Sequence, residues 1–180
     1  MSDNMDDIII PFIENPEKEF YIRELARKLK KSPTTISKTL KKYQKKDILT
    51  SEKKLNHLTF KANSENRKFR LKKLYYNVSQ IINSGLLEYL EKELNHPEAI
   101  GLFGSYAKAE NSNISDIDIF IISSNKKEPN ILFYEKKLSH QIHLFIISKN
   151  DLEKMKKENK ELLNNIINGL ILQGNLEMFR

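Results

Sequence analysis

Apolar residues recur at helical spacing in the first part of the chain. They predict a helix over residues 7–14, which Asn15-Pro16 ends because proline cannot continue a helix. From Tyr21 to Lys30, apolar side chains return at i, i+3, i+4 and i+7, which is one face of a second helix. Further on, residues 48–54 and 58–62 predict two short strands around a polar tip, Leu55-Asn56-His57.

A third helix is predicted to begin at Pro33. Ser32 before it is a suitable N-cap, and proline suits the first helical position because the N–H that it lacks would be unpaired there. Ile36, Leu40 and Tyr43 form the stripe that we expect to be buried. Hydroxyl and lysine side chains occupy the other face. Only a few residues separate this helix from the one before it, as in a helix-turn-helix.

The second half of the chain predicts helices alternating with buried strands. Residues 64–94 predict two helical segments that meet near Asn83-Ser84-Gly85, the second with a stripe of leucines that packs on the following domain. Strands are predicted at 99–103, 116–122 and 142–147, and helices at 129–138 and 150–157. Apolar residues from Leu162 to Ile171 predict one closing helix, whose exposed residues would also suit a homodimer.

Positive charge is concentrated in the first part of the chain. Residues 1–75 hold 19 Lys or Arg and 10 Asp or Glu, net +9, whereas residues 76–180 hold 12 and 14, net −2. A basic segment joined to a slightly acidic one is typical of a nucleic-acid-binding module fused to a second domain. Lysine-rich helices that are simply well solvated are the alternative. We place the boundary between residues 75 and 80 and assign domains 1–75 and 76–180.

Composition also bears on compartment and on the kinds of site that are possible. The sequence has no cysteine, which excludes disulfides and thiolate metal sites. Residues 1–7 are acidic and lack the basic-then-apolar order of a signal peptide. No stretch approaches the roughly 20 apolar residues needed to span a bilayer. We therefore expect a soluble, cytoplasmic protein with no membrane partner.

The segments Ile22-Arg-Glu-Leu-Ala-Arg-Lys-Leu and Thr35-Ile-Ser-Lys-Thr-Leu resemble the winged helix-turn-helix family of bacterial and archaeal regulators. The resemblance implies duplex DNA as a partner and the third helix as the recognition helix. Short hydroxyl residues near its start suit base edges, and the lysines after them suit phosphates. The candidate DNA-binding residues are Thr34, Thr35, Lys38, Lys41, Lys42 and Lys45. A winged helix used only for protein contacts or dimerisation is the alternative.

Residues 99–122 carry the side chains best suited to phosphate and metal chemistry. Gly104 lets a phosphate approach the backbone, and Ser105 offers a hydroxyl at the start of a short helix. Asp116 and Asp118 are two apart on a strand, so both carboxylates project from one face. Two such ligands can hold one or two Mg²⁺ ions, which bridge nucleotide phosphates and activate an attacking hydroxyl. Alone, Asp-x-Asp is also the wet face of many half-buried strands.

Gly104-Ser105 together with Ser115-Asp-Ile-Asp resembles the signature of the polymerase-beta-type nucleotidyltransferase superfamily. Within it the chain is similar to the minimal nucleotidyltransferases, some of which act as antitoxins beside a partner toxin. The resemblance implies an α+β fold, with a small mixed-sheet nucleotidyltransferase domain after the winged helix-turn-helix. It implies Asp116 and Asp118 as catalytic and metal-binding residues, Gly104 and Ser105 as nucleotide-binding residues, and Mg²⁺ as cofactor. A nucleoside triphosphate, expected to be ATP, is the substrate or ligand.

The chain departs from this signature at two positions. Ala109 stands where the family has a second glycine, which predicts a stiffer or differently shaped loop. His143 stands where active members supply a third carboxylate, and a neutral imidazole is a poor ligand for Mg²⁺. Three interpretations of this position stay open: a general base, a polar residue on the open face of the sheet, or replacement of the missing acid by Glu135 or Asp151.

Two functions fit these residues. The first is a Mg²⁺-dependent nucleotidyltransferase acting on a hydroxyl of a protein or RNA, fused to a DNA-binding, antitoxin-like regulator. The second is a transcriptional regulator whose transferase-like domain is impaired and only senses nucleotide or binds a partner protein. Ala109 and His143 favour the second. We favour the first, because a decayed site has no chemical reason to keep both aspartates.

Overall fold

The computed structural model describes residues 6–54 and 57–177, and the chain divides into two compact units, residues 1–73 and 74–180. The division lies within one helix, Arg67–Ser84, close to the point where the net charge changes sign. Among the described residues, no helix combines the length and apolar character that a membrane span requires.

The first unit combines helices with a three-stranded antiparallel sheet of order β1-β3-β2. Its elements are α1 (Ile10–Glu14), β1 (Phe20–Tyr21), α2 (Ile22–Lys28), α3 (Pro33–Lys45), β2 (Leu49–Lys54) and β3 (His57–Ala62). The predicted helices and hairpin are confirmed, although His57 of the predicted tip belongs to β3, where it pairs with Lys54, and residues 55 and 56 lie outside the described residues. Strand β1 was not predicted, because two residues are too few to show a period. It places Phe20 opposite Phe60 in the core.

Helix α3 begins as its sequence predicts. The Ser32 hydroxyl accepts a hydrogen bond from the Thr35 N–H at 3.1 Å, which is the N-cap arrangement. Ile36, Leu40 and Tyr43 are all buried. The opposite face of the helix therefore remains available to solvent.

The second unit is built on a four-stranded mixed sheet of order β6-β5-β4-β7. Strand β4 runs antiparallel to both β5 and β7, and β5 runs parallel to β6. After α4 (Arg67–Ser84), the elements are α5 (Leu86–Glu93), β4 (Ala99–Phe103), α6 (Gly104–Lys108), β5 (Ile117–Ile122), α7 (Leu132–Leu138), β6 (Ile142–Ile147), α8 (Lys149–Glu158), α9 (Lys160–Ile167) and β7 (Leu170–Gly174). The predicted α+β class with a mixed sheet is confirmed.

Both faces of this sheet carry a hydrophobic core. On one face, Ile117, Ile119 and Ile121 pack with the leucines of α5. On the other, Phe120 and Ile122 pack with apolar residues of α8 and α9. Because successive residues of a strand point to opposite faces, the two cores take alternate residues of β5.

The prediction of one closing helix over 162–171 is wrong in its second half. Helix α9 ends at Ile167, and Leu170–Gly174 form the edge strand β7. Gly169 lies between them, where an added β-carbon would stand 2.7 Å from the Leu102 carbonyl oxygen. The chain therefore turns against the backbone of β4 at a residue without a side chain. The apolar run 170–172 suited helix and strand equally, and only the sheet decides between them.

Candidate functional site

The two aspartates of the motif lie where β5 begins. Asp116 immediately precedes the strand and Asp118 is its second residue, so both point away from the core face that holds Ile117 and Ile119. Their side chains are 42% and 26% exposed, whereas Ile117 and Ile119 are buried. The predicted pair of carboxylates on one face of a strand is therefore present.

His143 stands beside both aspartates. Parallel pairing of β5 with β6 sets His143 directly opposite Asp118. Its Nδ1 lies 3.4 Å from Asp118 Oδ1, and its Nε2 lies 4.0 Å from Asp116 Oδ2. The imidazole thus occupies the strand position at which the resemblance to the superfamily predicts a third carboxylate. It is half exposed, as expected of a polar residue on the open face.

Both acids considered as replacements are engaged by other groups. A Glu135 carboxylate oxygen accepts a hydrogen bond from the Ile142 N–H at 3.0 Å, at the start of β6. Asp151 caps α8 through the Ser148 N–H and hydroxyl, and it pairs with Lys126 at 2.7 Å. Lys126 and the Ser148 bonds hold the pKa of Asp151 well below its usual range. The structure thus gives both acids other partners and does not support either of them as the missing acid.

The electrostatics of Asp118 favour a cation. Burial raises the pKa of Asp118 and the negative charge of Asp116 adds to the rise, although contact with His143 opposes both. Within the described residues, the ion-pair partner of each aspartate is His143, and no Lys or Arg neutralises either of them. A partly desolvated carboxylate beside a second carboxylate gains most from a positive charge placed between them.

Gly104 is fitted to Asp118. It follows Phe103, which pairs with Asp118 across β4 and β5, and it has a φ of +67°. A β-carbon at this residue would lie 2.5 Å from Asp118 Oδ2. Both the left-handed backbone and the nearby carboxylate therefore favour glycine here. Ser105 comes next, in the first turn of α6, so the two halves of the motif meet at this end of the sheet.

Ala109 ends α6 with a φ of +57°. This left-handed conformation is the one that a glycine adopts freely, and an L-residue holds it at a cost of about 1–2 kcal/mol. The alanine at the position of the family's second glycine thus keeps a glycine-like backbone. The Glu110 N–H closes the turn on the Ser105 carbonyl at 2.8 Å.

A buried asparagine anchors the loop that leads to Asp116. Asn77 of α4 donates from Nδ2 to the Tyr106 carbonyl at 3.1 Å and to Asn111 Oδ1 at 2.8 Å. At the other end of the loop, His140 Nδ1 lies 3.0 Å from the Ser115 carbonyl. Sequence reasoning missed these positioning residues. A lone polar residue on the apolar face of α4 was the only signal of Asn77.

The donor chemistry suits a divalent cation in part. Asp116 and Asp118 are the oxygen ligands that Mg²⁺ prefers, and the imidazole of His143 is not. Among the residues that the structure describes, no group of three or more His, Cys, Asp or Glu is arranged to hold a metal ion. Mg²⁺ commonly keeps several waters and takes phosphate oxygens as ligands, so two carboxylates are compatible with it.

The candidate DNA-binding residues form one exposed surface on α3. Thr34, Lys38, Lys41 and Lys45 follow each other at i, i+4, i+7 and i+11, and all are exposed. Thr35 and Lys42 are exposed beside them. The Thr35 Oγ1 lies 2.9 Å from Ser32 Oγ, so the N-cap engages its hydroxyl. Thr34 and Lys38 also border a groove of about 550 Å³ between α3 and Ile22 of α2.

This lysine surface keeps its charge. Carboxylates of the first unit pair with lysines elsewhere, as Glu24 does with Lys18 and Glu19 with Lys54. In residues 6–54 and 57–177, no ion pair involves the four lysines of the surface, Lys38, Lys41, Lys42 and Lys45. This helix face therefore carries four positive charges that no carboxylate of the described residues neutralises.

Residues 85–175 match the family described as Polymerase beta, Nucleotidyltransferase. The matched span includes Gly104, Ser105, Asp116, Asp118 and His143. A candidate nucleotidyltransferase of known structure from Sulfolobus solfataricus is 16% identical, with 61% of this chain and 98% of that chain covered and a TM-score of 0.34. No curated protein matches the sequence.

Proposed function

Because the match covers half of its residues, the chain belongs to the polymerase beta nucleotidyltransferase family, and we propose that its second unit transfers a nucleoside monophosphate to a hydroxyl of a protein or RNA. The observation that carries the proposal is the approach of Gly104 to Asp118, which sets the Gly-Ser turn of the motif directly beside the paired carboxylates. In the reaction, the acceptor oxygen bonds to the α-phosphorus of a nucleoside triphosphate. The bond to the β-phosphate oxygen breaks, pyrophosphate leaves and the hydroxyl loses its proton.

Each residue of the site has a defined part in this proposal. Gly104 lets the Asp118 carboxylate and a phosphate come close to the backbone of the turn, and the Ser105 hydroxyl donates to a phosphate oxygen. Asp116 and Asp118 would hold Mg²⁺, which would supply positive charge to the phosphates and to the attacking hydroxyl. Most of the catalysis in phosphoryl transfer comes from positioning and charge stabilisation. ATP is the expected donor.

We propose that the first unit is a winged helix-turn-helix that binds duplex DNA. The unpaired lysines of α3 support this, because each lysine that contacts a phosphate releases counterions from DNA. Thr34 is better placed than Thr35 to contact bases, since the N-cap already engages the Thr35 hydroxyl. A nucleotidyltransferase joined to such a unit suits an antitoxin-like regulator with a toxin or other protein as partner.

One observation favours a second function. His143, opposite Asp118, leaves the site with two carboxylates. A site of this kind can bind Mg²⁺ and a triphosphate without catalysing transfer, which would make the second unit a nucleotide sensor for the DNA-binding unit. The two functions differ in a measurable product, because only the transferase releases pyrophosphate.

The acceptor assay tests the proposal. The purified full chain is incubated with Mg²⁺, each of the four α-labelled nucleoside triphosphates and a cell extract. Transfer predicts label in macromolecules together with pyrophosphate. Removal of the label by protease or by ribonuclease then assigns the acceptor class. Nucleotide binding without label or pyrophosphate would favour the sensor.

A further inference from the structure

Strand β6 is an edge of the mixed sheet. On one side its odd-numbered residues bond to β5, as the Ile117 N–H does to the Gln141 carbonyl and the Ser123 N–H to the Ile147 carbonyl. Backbone groups alternate in direction along a strand. Ile142, Leu144 and Ile146 therefore direct their N–H and C=O groups to the free edge.

Carboxylates close both ends of this edge. The Ile142 N–H donates to Glu135 Oε1 and the Ser148 N–H donates to Asp151 Oδ2, each at 3.0 Å. Between them, the part of the chain that the structure describes offers no hydrogen-bond partner to the edge-facing N–H groups of Leu144 and Ile146. The edge-facing backbone groups of Leu144 and Ile146 thus remain open for pairing with another strand, and we call this stretch the window.

The side chains around the window are apolar on both faces of the sheet. Leu144 and Ile146 lie partly exposed against one core, and Phe145 lies partly exposed against the other. They line a groove of about 550 Å³ together with Ile131 and Met155, and the charged Lys126 and Glu128 and the adjacent Pro129 also border it. An occupant must therefore bring extended backbone and apolar side chains on both of its faces.

We propose that a second copy of this chain fills the groove by pairing its own β6 antiparallel with this one. In such a pair, the two residues that face the edge, Leu144 and Ile146, can bond to the same two residues of the other copy. Leu144 of each copy meets Ile146 of the other, which gives four backbone hydrogen bonds about a two-fold axis beside Phe145. Leu144, Phe145 and Ile146 of the two copies would also form apolar contacts with each other on both faces of the sheet. This inference rests on the sheet alone and is independent of the proposed function.

The opposite edge of the sheet is less suited to pairing. The register between β4 and β7 shifts between Ile100 and Gly101, which marks a bulge or irregularity beside that edge. Bulges twist an edge and interrupt the regular row of groups that a partner strand needs. Although Ile171 of β7 is 41% exposed, the regular edge is that of β6.

A cysteine at the two-fold axis tests the proposal, since the chain has no other cysteine. In the proposed pair, residue 145 faces its own copy with Cα atoms about 4.5 Å apart, within the range of a disulfide. Phe145→Cys should form a covalent dimer under mild oxidation at least about tenfold faster than Ile171→Cys, the control on β7. Adding Ile146→Pro, which removes one edge-facing N–H, should slow the cross-link of Phe145→Cys to the rate of the control.

Sedimentation of the unmodified full chain gives the second arm, over about 1 to 100 μM. We expect a concentration-dependent dimer that Ile146→Pro converts to monomer with an unchanged circular dichroism spectrum. A wild-type monomer over the whole range would overturn the proposal. Equal cross-linking of Phe145→Cys and Ile171→Cys would overturn it as well. If Ile146→Pro does not fold, the comparison of the two cysteine variants decides.

Discussion

Replacing Gly104 with alanine adds one methyl group at the point where the phosphate-binding turn meets the metal-binding strand. Two effects follow from the structure. The residue has a φ of +67°, which an L-residue holds at a cost of about 1–2 kcal/mol. The new β-carbon would also stand 2.5 Å from Asp118 Oδ2, well inside ordinary contact distance. That oxygen is at the end of a side chain, so the carboxylate can move away from the new methyl group. It needs to move by about 1 Å to restore the ordinary van der Waals separation of about 3.5 Å.

The two effects have different readouts. The backbone strain should lower the free energy of unfolding by about 1–2 kcal/mol in urea titrations. Displacement of Asp118 should weaken binding of ATP with Mg²⁺ by about tenfold or more in calorimetry, since a misplacement of about 1 Å in such a site costs up to about 100-fold.

Gly85→Ala is the matched control. Gly85 has a φ of +83°, and an added β-carbon there would meet nothing within 4 Å. It should lose similar stability and bind nucleotide as wild type does. If Gly104→Ala and Gly85→Ala bind ATP with Mg²⁺ equally well, Gly104 is not part of a nucleotide site, and the reasoning fails.

Three further predictions concern charge. Because burial raises the pKa of Asp118 above its unfolded value, stability is lost as the pH rises from the unfolded pKa to the folded one. Asp118→Asn should therefore resist urea better than wild type at pH 7 and lose this advantage at about pH 3, and a less stable variant at pH 7 would contradict this. His143→Asp should tighten Mg²⁺ binding in calorimetry because it adds a hard oxygen ligand, and unchanged affinity would show that residue 143 does not reach the cation. A triple alanine variant on α3 replaces Lys41, Lys42 and Lys45. It should reduce the steepness with which DNA affinity falls as salt rises, by about one unit of log–log slope per lost phosphate contact. The control triple in the second unit replaces Lys136, Lys154 and Lys157 and should leave this slope unchanged.

The parts of the fold that the sequence predicted are those fixed by local chemistry. Ser32 before Pro33 specifies the start of α3 through its own cap, and alternation of aspartate with isoleucine specifies the faces of β5. What the sequence could not predict depends on partners distant along the chain. Residues 170–172 become a strand only because β4 offers an edge, and β1 exists only because β3 does.

The candidate site follows the same division. The motif alone identified Gly104, Ser105 and both aspartates, but its spacing could not show that the Gly104 backbone lies against the Asp118 carboxylate. The position of His143 was predicted from its strand, and the parallel register confirms it. The roles of Glu135 and Asp151 were not predictable, because each is decided by a backbone N–H that it accepts.

The most direct test of the central claim follows the two ends of ATP in one experiment. Wild type and Asp118→Asn are incubated with Mg²⁺ and an acceptor extract, with ATP labelled on the α-phosphate in one reaction and on the γ-phosphate in the other. The proposed transferase predicts α-label in macromolecules, γ-label in free pyrophosphate, and loss of both products by orders of magnitude in Asp118→Asn, because a metal ligand contributes several kcal/mol to such a reaction. Label incorporated only from the γ-phosphate, or equal incorporation of α-label by the variant, would contradict nucleotidyl transfer by this aspartate pair.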